Sequence, residues 1–180
     1  MSAGTLKVPV GPGDHVQGSL DSPAILVEYG DYECPYCARA HPIVKALQRR
    51  VGDRMAFVFR NFPLTEIHPH AEQAAEAAEA AGARGKFWPM HDTIYEHQQE
   101  GLEQRDLQQY AAIVGLDPMA VAHDITAHTY LDRIREDFMG GVRSGVNGTP
   151  TFFINGRRFD GDWTDVESFA AAITDAAIPA

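Results

Sequence analysis

Ala24-Ile25-Leu26-Val27-Glu28-Tyr29-Gly30-Asp31-Tyr32-Glu33-Cys34-Pro35-Tyr36-Cys37 is the stretch on which the reading of this chain turns. Its first seven residues form an apolar run with β-branched and aromatic members, bounded by Pro23 and Gly30, which predicts a buried strand. Glu28 is the anomaly within it. After the cysteines, Ala40, Ile43, Val44, Leu47 and Val51 recur at helical spacing up to Gly52, a C-terminal stop signal. Pro42 should bend that helix without preventing it. The two cysteines therefore fall where a strand ends and a helix begins.

That position carries chemistry of its own. A helix N-terminus presents unpaired N–H groups and about half a positive charge, which favours a thiolate at Cys34 and lowers its pKa from roughly 8.5. Pro35 suits the first helical turn. Cys37, one turn further in, is placed to stay protonated and to attack a mixed disulfide formed at Cys34. Cys34 is thus the candidate nucleophile and Cys37 the candidate resolving thiol. The competing explanation is a chance pair of core cysteines, against which the strand-to-helix placement weighs. Haem attachment needs a histidine directly after the second cysteine, and Ala38 stands there. With two cysteines in the chain, neither a disulfide framework nor a four-cysteine zinc site can be built.

Outward from this centre, residues 55–60 (Met-Ala-Phe-Val-Phe-Arg) read as a second strand, and strand, helix, strand with this crossover implies a parallel βαβ unit. From His68 to Gly141 the apolar spacing is helical: Ala71, Ala74, Ala75, Ala78; Phe87, Met90, His91, Ile94; Leu107, Tyr110, Ala111, Val114; then Leu131, Ile134, Phe138. Asp117-Pro118 looks like an N-cap followed by proline at the first helical position. Thr151-Phe152-Phe153-Ile154, the turn pair Asn155-Gly156 and Arg157-Arg158-Phe159 read as a β-hairpin. Thr164 and Glu167 have capping-box spacing before a last helix with Val166, Phe169, Ala170 and Ile173 on one face. The expectation is an α/β fold in one domain over residues 1–180, with a helical insertion over about residues 66–142 packed on the sheet.

The chain has 180 residues, 44 % hydrophobic and 22 % charged, enough to bury a core without staples. A formal charge of −10 with no clustered Lys/Arg stripe argues against a nucleic-acid partner. No run approaches the roughly 18 apolar residues of a membrane span. The Ala-rich residues 71–83 are interrupted by Glu72, Glu76 and Glu79, so no membrane insertion is expected. Residues 1–13 lack a basic n-region and an apolar h-region, so the expected compartment is the cytoplasm for the chain as it stands, or an extracytoplasmic space if a leader has been removed. A monomer is expected.

Val27-Glu28-Tyr29-Gly30-Asp31-Tyr32-Glu33 leading into the cysteine pair, the helical insertion, and Gly145-Val146-Asn147-Gly148-Thr149-Pro150-Thr151 together resemble the bacterial DsbA-like branch of the thioredoxin superfamily. The resemblance extends to the members found free or fused to the C-terminus of sodium/proton antiporters. It implies a thioredoxin fold interrupted by helices. It also implies thiol-disulfide exchange with protein or peptide thiols and a redox partner, using the Cys34-Cys37 disulfide and no bound cofactor. Families of this fold place a buried acid where Glu28 stands, exchanging protons with the second cysteine; a desolvated carboxyl can do so near pH 7. The alternative is an edge-strand glutamate facing solvent. Thr149-Pro150 matches the family's cis-proline, which with Pro35 and Tyr36 borders the substrate and offers main-chain hydrogen bonds to it. Tyr36 replaces the histidine of the best-known periplasmic members, which implies a modest pKa depression at Cys34 and an intermediate potential.

Two other functional classes stay in view. His68 and His70 flank Pro69 at a helix start, and with Cys34 and Cys37 they offer two imidazoles and two thiolates for zinc. A redox-inert interaction domain on the same fold is the other. His41, one turn beyond Cys37, is as consistent with a solvated helix position as with a group that tunes the site.

Overall fold

The computed structural model describes residues 4–178. Its centre is a five-stranded sheet in the order β1-β3-β2-β4-β5, from β1 (His15–Gln17), β2 (Ala24–Gly30), β3 (Met55–Asn61), β4 (Thr151–Ile154) and β5 (Arg157–Phe159). β2 and β3 run parallel, from Ala24 opposite Met55 to Gly30 opposite Asn61, joined by α1 (Pro35–Val51). A parallel pair needs such a crossover, because a tight turn cannot bring the chain back to the same end. β4 is antiparallel to β2, and β5 returns along β4 through Asn155 and Gly156, whose φ values of 48° and 78° give the left-handed turn that matches strand twist.

Between β3 and β4 lie α2 (Ala71–Gly82), α3 (Phe87–Glu96), α4 (Gln104–Ile113), α5 (Pro118–Thr126) and α6 (Leu131–Arg143); α7 (Val166–Ala176) ends the fold. The sheet is covered on both faces, which is why its central strands read as unbroken apolar runs. Leu26, Phe57, Phe59, Phe152 and Ile154 share a core with Cys37, Val44, Leu47, Met90 and Phe169. Val27, Tyr29, Val58 and Phe153 face the other way, against Phe62 and Val146. Among the described residues, no helix is long and apolar enough to cross a membrane.

Several local signals are realised. α1 runs through Pro42 and ends at Gly52, at φ 56°. Asp117 caps α5 by accepting the Met119 amide at 2.9 Å, with Pro118 at the first helical position. The start of α7 differs from the capping-box expectation: Asp165, not Thr164, is the N-cap and accepts the Glu167 amide at 3.1 Å. Thr164 instead donates to Asp162 in the preceding turn, at 2.6 Å.

The N-terminal segment is the part of the fold no local pattern announced. β1 pairs antiparallel with β3, His15 opposite Phe59. Further upstream, Thr5 bridges Arg157, and the Leu6 amide donates to Gly156 O at 2.8 Å. Between these two ends the segment clasps a buried arginine. Arg60 donates to Asp14 Oδ1 and Oδ2 at 2.8 and 3.0 Å, to the carbonyls of Val8 and Pro9 at 2.8 and 3.1 Å, and to the Tyr29 hydroxyl at 3.0 Å.

Candidate thiol site

Cys34 is the N-cap of α1, in extended geometry (φ −70°, ψ 123°); its amide donates to Asp31 O and its carbonyl receives the Ala38 amide, both at 3.1 Å. The end of β2 and the helix start thus hold its sulfur at the positive end of α1. The Thr149–Pro150 peptide is cis, and Cys34 Sγ lies 3.4 Å from Thr149 O. Cys34 is only 4 % exposed and Cys37 is fully buried, so access to the first sulfur is narrower than a thiol open on the surface. Around it Pro35 and Tyr36 are exposed, Tyr36 by 60 %.

The two sulfurs differ sharply in acidity. The Cys34 pKa falls to about 5. The Cys37 thiol hydrogen-bonding to it contributes most, and burial opposes; the Thr149 side chain and the amides of Cys37 and Tyr36 add to the lowering. This depression is deeper than a neutral Tyr36 implies, because its largest cause is the Cys37 thiol, with the helix-start N–H groups adding to it. None of them depends on a charge between the cysteines. Cys37 moves the other way, well above the ordinary thiol, through burial first, then the hydrogen bond it gives to Cys34, then the negative charge of Glu28. The Asp31 amide donates to Cys37 Sγ at 3.4 Å.

Glu28 sits in the middle of β2, opposite Phe59 on β3 and Phe152 on β4, and is 2 % exposed, which removes the solvent-facing alternative. Its Oε1 has no hydrogen-bond partner among the described residues. Burial, with a smaller contribution from charge at Cys34, raises its pKa to about 8. The carboxyl is therefore neutral at pH 7 and close to its own titration.

Other groups brought to the site had no signal in the local sequence. Asp31 accepts the Glu33 amide on Oδ1 at 2.8 Å, and the Leu64 amide and His68 Nδ1 on Oδ2 at 2.9 and 2.8 Å, tying the loop before the cysteines to the chain after β3. Gln98 donates to the carbonyls of Tyr32 and Cys34, at 2.8 and 3.0 Å, from a turn sixty-odd residues away. The Tyr95 hydroxyl is buried without a partner and lies 3.1 Å from where a Cβ on Gly30 would stand.

The alternative zinc arrangement of His68, His70 and the cysteines is not assembled among the described residues. His68 Nδ1 is held by Asp31 and His70 Nδ1 by Glu33, each at 2.8 Å. Among the described residues, the sets whose ligand atoms converge are His41, His91 and Asp92, and Glu72, Glu76 and His128, neither of which contains a cysteine. His41 is also not a solvated helix residue. It is 8 % exposed and packs on Tyr95 and His91; burial, against the opposing charge of Asp92, pulls its pKa down to about 4.

A family model described as thioredoxin matches residues 11–175. Over 172 residues the chain is 46 % identical to the Na(+)/H(+) antiporter NhaA 1 of Salinispora arenicola, a match covering 95 % of this chain and 26 % of that protein. The chain thus spans about a quarter of the length of the curated relatives it matches. Oxidised BdbD from Bacillus subtilis superposes with a TM-score of 0.84 at 23 % identity, covering 98 % of this chain and 97 % of that one. Alpha-DsbA1 from Wolbachia pipientis superposes with a TM-score of 0.80 at 21 % identity, covering 96 % and 94 %. These likenesses fix the architecture as an α/β thioredoxin-like fold with helices inserted between its βαβ and ββα parts.

Proposed function

We propose, from the premise that this chain belongs to the thioredoxin family and has a DsbA-like fold, that it exchanges disulfides with protein or peptide thiols through Cys34-Pro35-Tyr36-Cys37. The observation that carries this reading is the placement of Cys34 at the N-cap of α1 against the cis Thr149–Pro150 turn, with Cys37 buried one turn behind it, an arrangement that drives the two thiols apart in acidity, Cys34 lowered to about 5 and Cys37 raised. One sulfur is thereby the better nucleophile and leaving group, and the other stays a thiol until a proton acceptor takes its hydrogen.

In the oxidising direction a substrate thiolate attacks Cys34 Sγ of the Cys34-Cys37 disulfide. A substrate–Cys34 disulfide forms and the electron pair of the broken bond leaves on Cys37, which takes a proton from Glu28. A second substrate thiolate then attacks the substrate sulfur of the mixed disulfide. The substrate is oxidised, and Cys34 departs as the thiolate its surroundings favour. Run backwards, Glu28 takes the Cys37 proton and Cys37 resolves the mixed disulfide. Electrons pass between sulfur pairs in both directions, so the exchange balances without a bound cofactor, and a second dithiol or disulfide partner returns the centre to its starting state. An extended substrate lies against the Thr149–Pro150 turn, beside Pro35 and Tyr36, and is held by main-chain hydrogen bonds tolerant of its sequence.

The depth of the depression at Cys34 supports the oxidising direction. A thiolate stabilised in the folded protein stabilises the reduced form and so makes the disulfide easier to reduce, by up to about 1.4 kcal/mol for each tenfold in acidity. That gain is fully present above the unfolded pKa and is lost as pH falls through about 5.

Brief alkylation of the reduced protein at neutral pH, followed by mass mapping, tests the assignment. Label is expected on Cys34 far ahead of Cys37, with Glu28→Gln slowing turnover in disulfide exchange while leaving Cys34 alkylation close to the parent rate. Equal labelling, or labelling of Cys37 first, would sink the division of roles.

A further inference from the structure

We propose that His41, His91 and Asp92 form a site for a zinc-type divalent cation, where α1 meets α3 and separate from the thiols. His41 lies on α1 one turn beyond Cys37, and His91 and Asp92 are consecutive on α3. One ligand atom from each lies within 4.8 Å of those of the other two. His41 Nε2 and Asp92 Oδ1 are 3.7 Å apart. Tetrahedral zinc with bonds of about 2.0–2.1 Å sets its ligand atoms roughly 3.4 Å apart, so little closure is needed.

The carboxylate supplies the independent observation. Asp92 Oδ1 is buried with no hydrogen-bond partner among the described residues, whereas Oδ2 receives Lys45 Nζ at 2.7 Å. A buried carboxylate oxygen left without a donor is costly, and a cation between it and two imidazoles removes that cost. The surrounding groups are those that orient metal ligands. Lys45 fixes the distal oxygen of Asp92, and the Tyr32 hydroxyl meets His91 Nδ1 at 2.9 Å, leaving Nε2 as the remaining ring nitrogen.

Two imidazole nitrogens and one carboxylate oxygen are a borderline donor set, suited to zinc and its neighbours and poor for calcium or magnesium, which take oxygen. A cleft bordered by His41, Pro42, Lys45, Arg49, Tyr95 and Glu96 opens the His41 side of the cluster to solvent.

Because thiols also bind zinc, the test uses the full chain carrying Cys34→Ser and Cys37→Ser, freed of metal and titrated with Zn2+ by calorimetry and with Co2+ as an optical probe. One equivalent should bind, with visible Co2+ bands. Asp92→Asn and His41→Ala should each weaken binding by at least about tenfold, and Tyr32→Phe by about tenfold through His91. Asp92 is partly exposed, so if His41→Ala fails to fold, Asp92→Asn decides. Binding that needs the cysteines, or that is equally tight in Asp92→Asn, would overturn the proposal.

Discussion

Glu28 and Arg60 are buried ionisable groups on neighbouring central strands, 2 % and 3 % exposed, and their surroundings are opposite in kind. Arg60 sends its three guanidinium nitrogens to five acceptors, four of them on the N-terminal segment. Burial works against its charge, and Asp14 and Tyr29 more than offset that cost, so it stays protonated. Glu28 has an oxygen with no partner and a carboxyl held neutral by desolvation. A buried charge with every donor used is a clasp, because moving its proton would break several bonds at once. A buried acid with spare valence can gain or lose a proton without dismantling anything, and that freedom is what proton transfer to Cys37 would use. The two residues show that burial alone does not set the charge of a buried group; the partners of its polar atoms do.

The contrast can be broken first at the clasp. Arg60→Met should cost about 3–5 kcal/mol in denaturant melts, because Asp14 is left as a buried carboxylate without its partner. A loss below about 1 kcal/mol would mean that the five bonds add little beyond packing.

At the other pole the sign reverses. The folded pKa of Glu28 is raised, so its contribution to stability is fully present below the unfolded value near 4.5 and is lost as pH rises through about 8. Glu28→Gln, studied as the disulfide form, should therefore gain on the parent protein as pH rises across that window, by up to about 1.4 kcal/mol per pH unit. A constant difference between the two proteins at all pH values would show Glu28 titrating normally.

The smallest effect compares two tyrosines that differ in one bond. Tyr29 OH accepts from Arg60, and Tyr95 OH is buried without a partner. Tyr29→Phe should lose about 1.5–3 kcal/mol, the value of a hydrogen bond to a charged group, whereas Tyr95→Phe should be neutral or slightly stabilising. Equal losses in thermal melts would argue that Tyr95 has a partner after all.

The Glu28 side of this contrast was legible in the sequence and the Arg60 side was not, for a physical reason. An apolar run, a CxxC and a helical period lie within fourteen consecutive residues and the helix after them, so local rules suffice for β2, the thiols and α1. Glu28 announced itself by being polar in that run. Arg60 also ends an apolar run, but its meaning rests on Val8, Pro9 and Asp14, about fifty residues earlier, in a stretch with no periodicity. β1 is three residues long and exists because β3 offers it a ladder. Gln98 and Tyr95 reach the site only once α3 has packed against α1. The cis peptide before Pro150 came from family resemblance, since nothing in the Thr149-Pro150 dipeptide distinguishes it from an ordinary trans bond.

One stretch of chain has a double office. Residues 4–17 bridge β5 at one rim of the sheet with Thr5, run past Arg60, and supply β1 at the opposite rim. Hydrogen-bonding groups on an outer strand invite a second copy to zip alongside, and here a single ribbon quiets both margins while its middle is pinned by the guanidinium. Peeling that ribbon away would uncover both borders of the sheet in the same event, so the pairing of those borders and the integrity of the clasp are tied to one length of backbone.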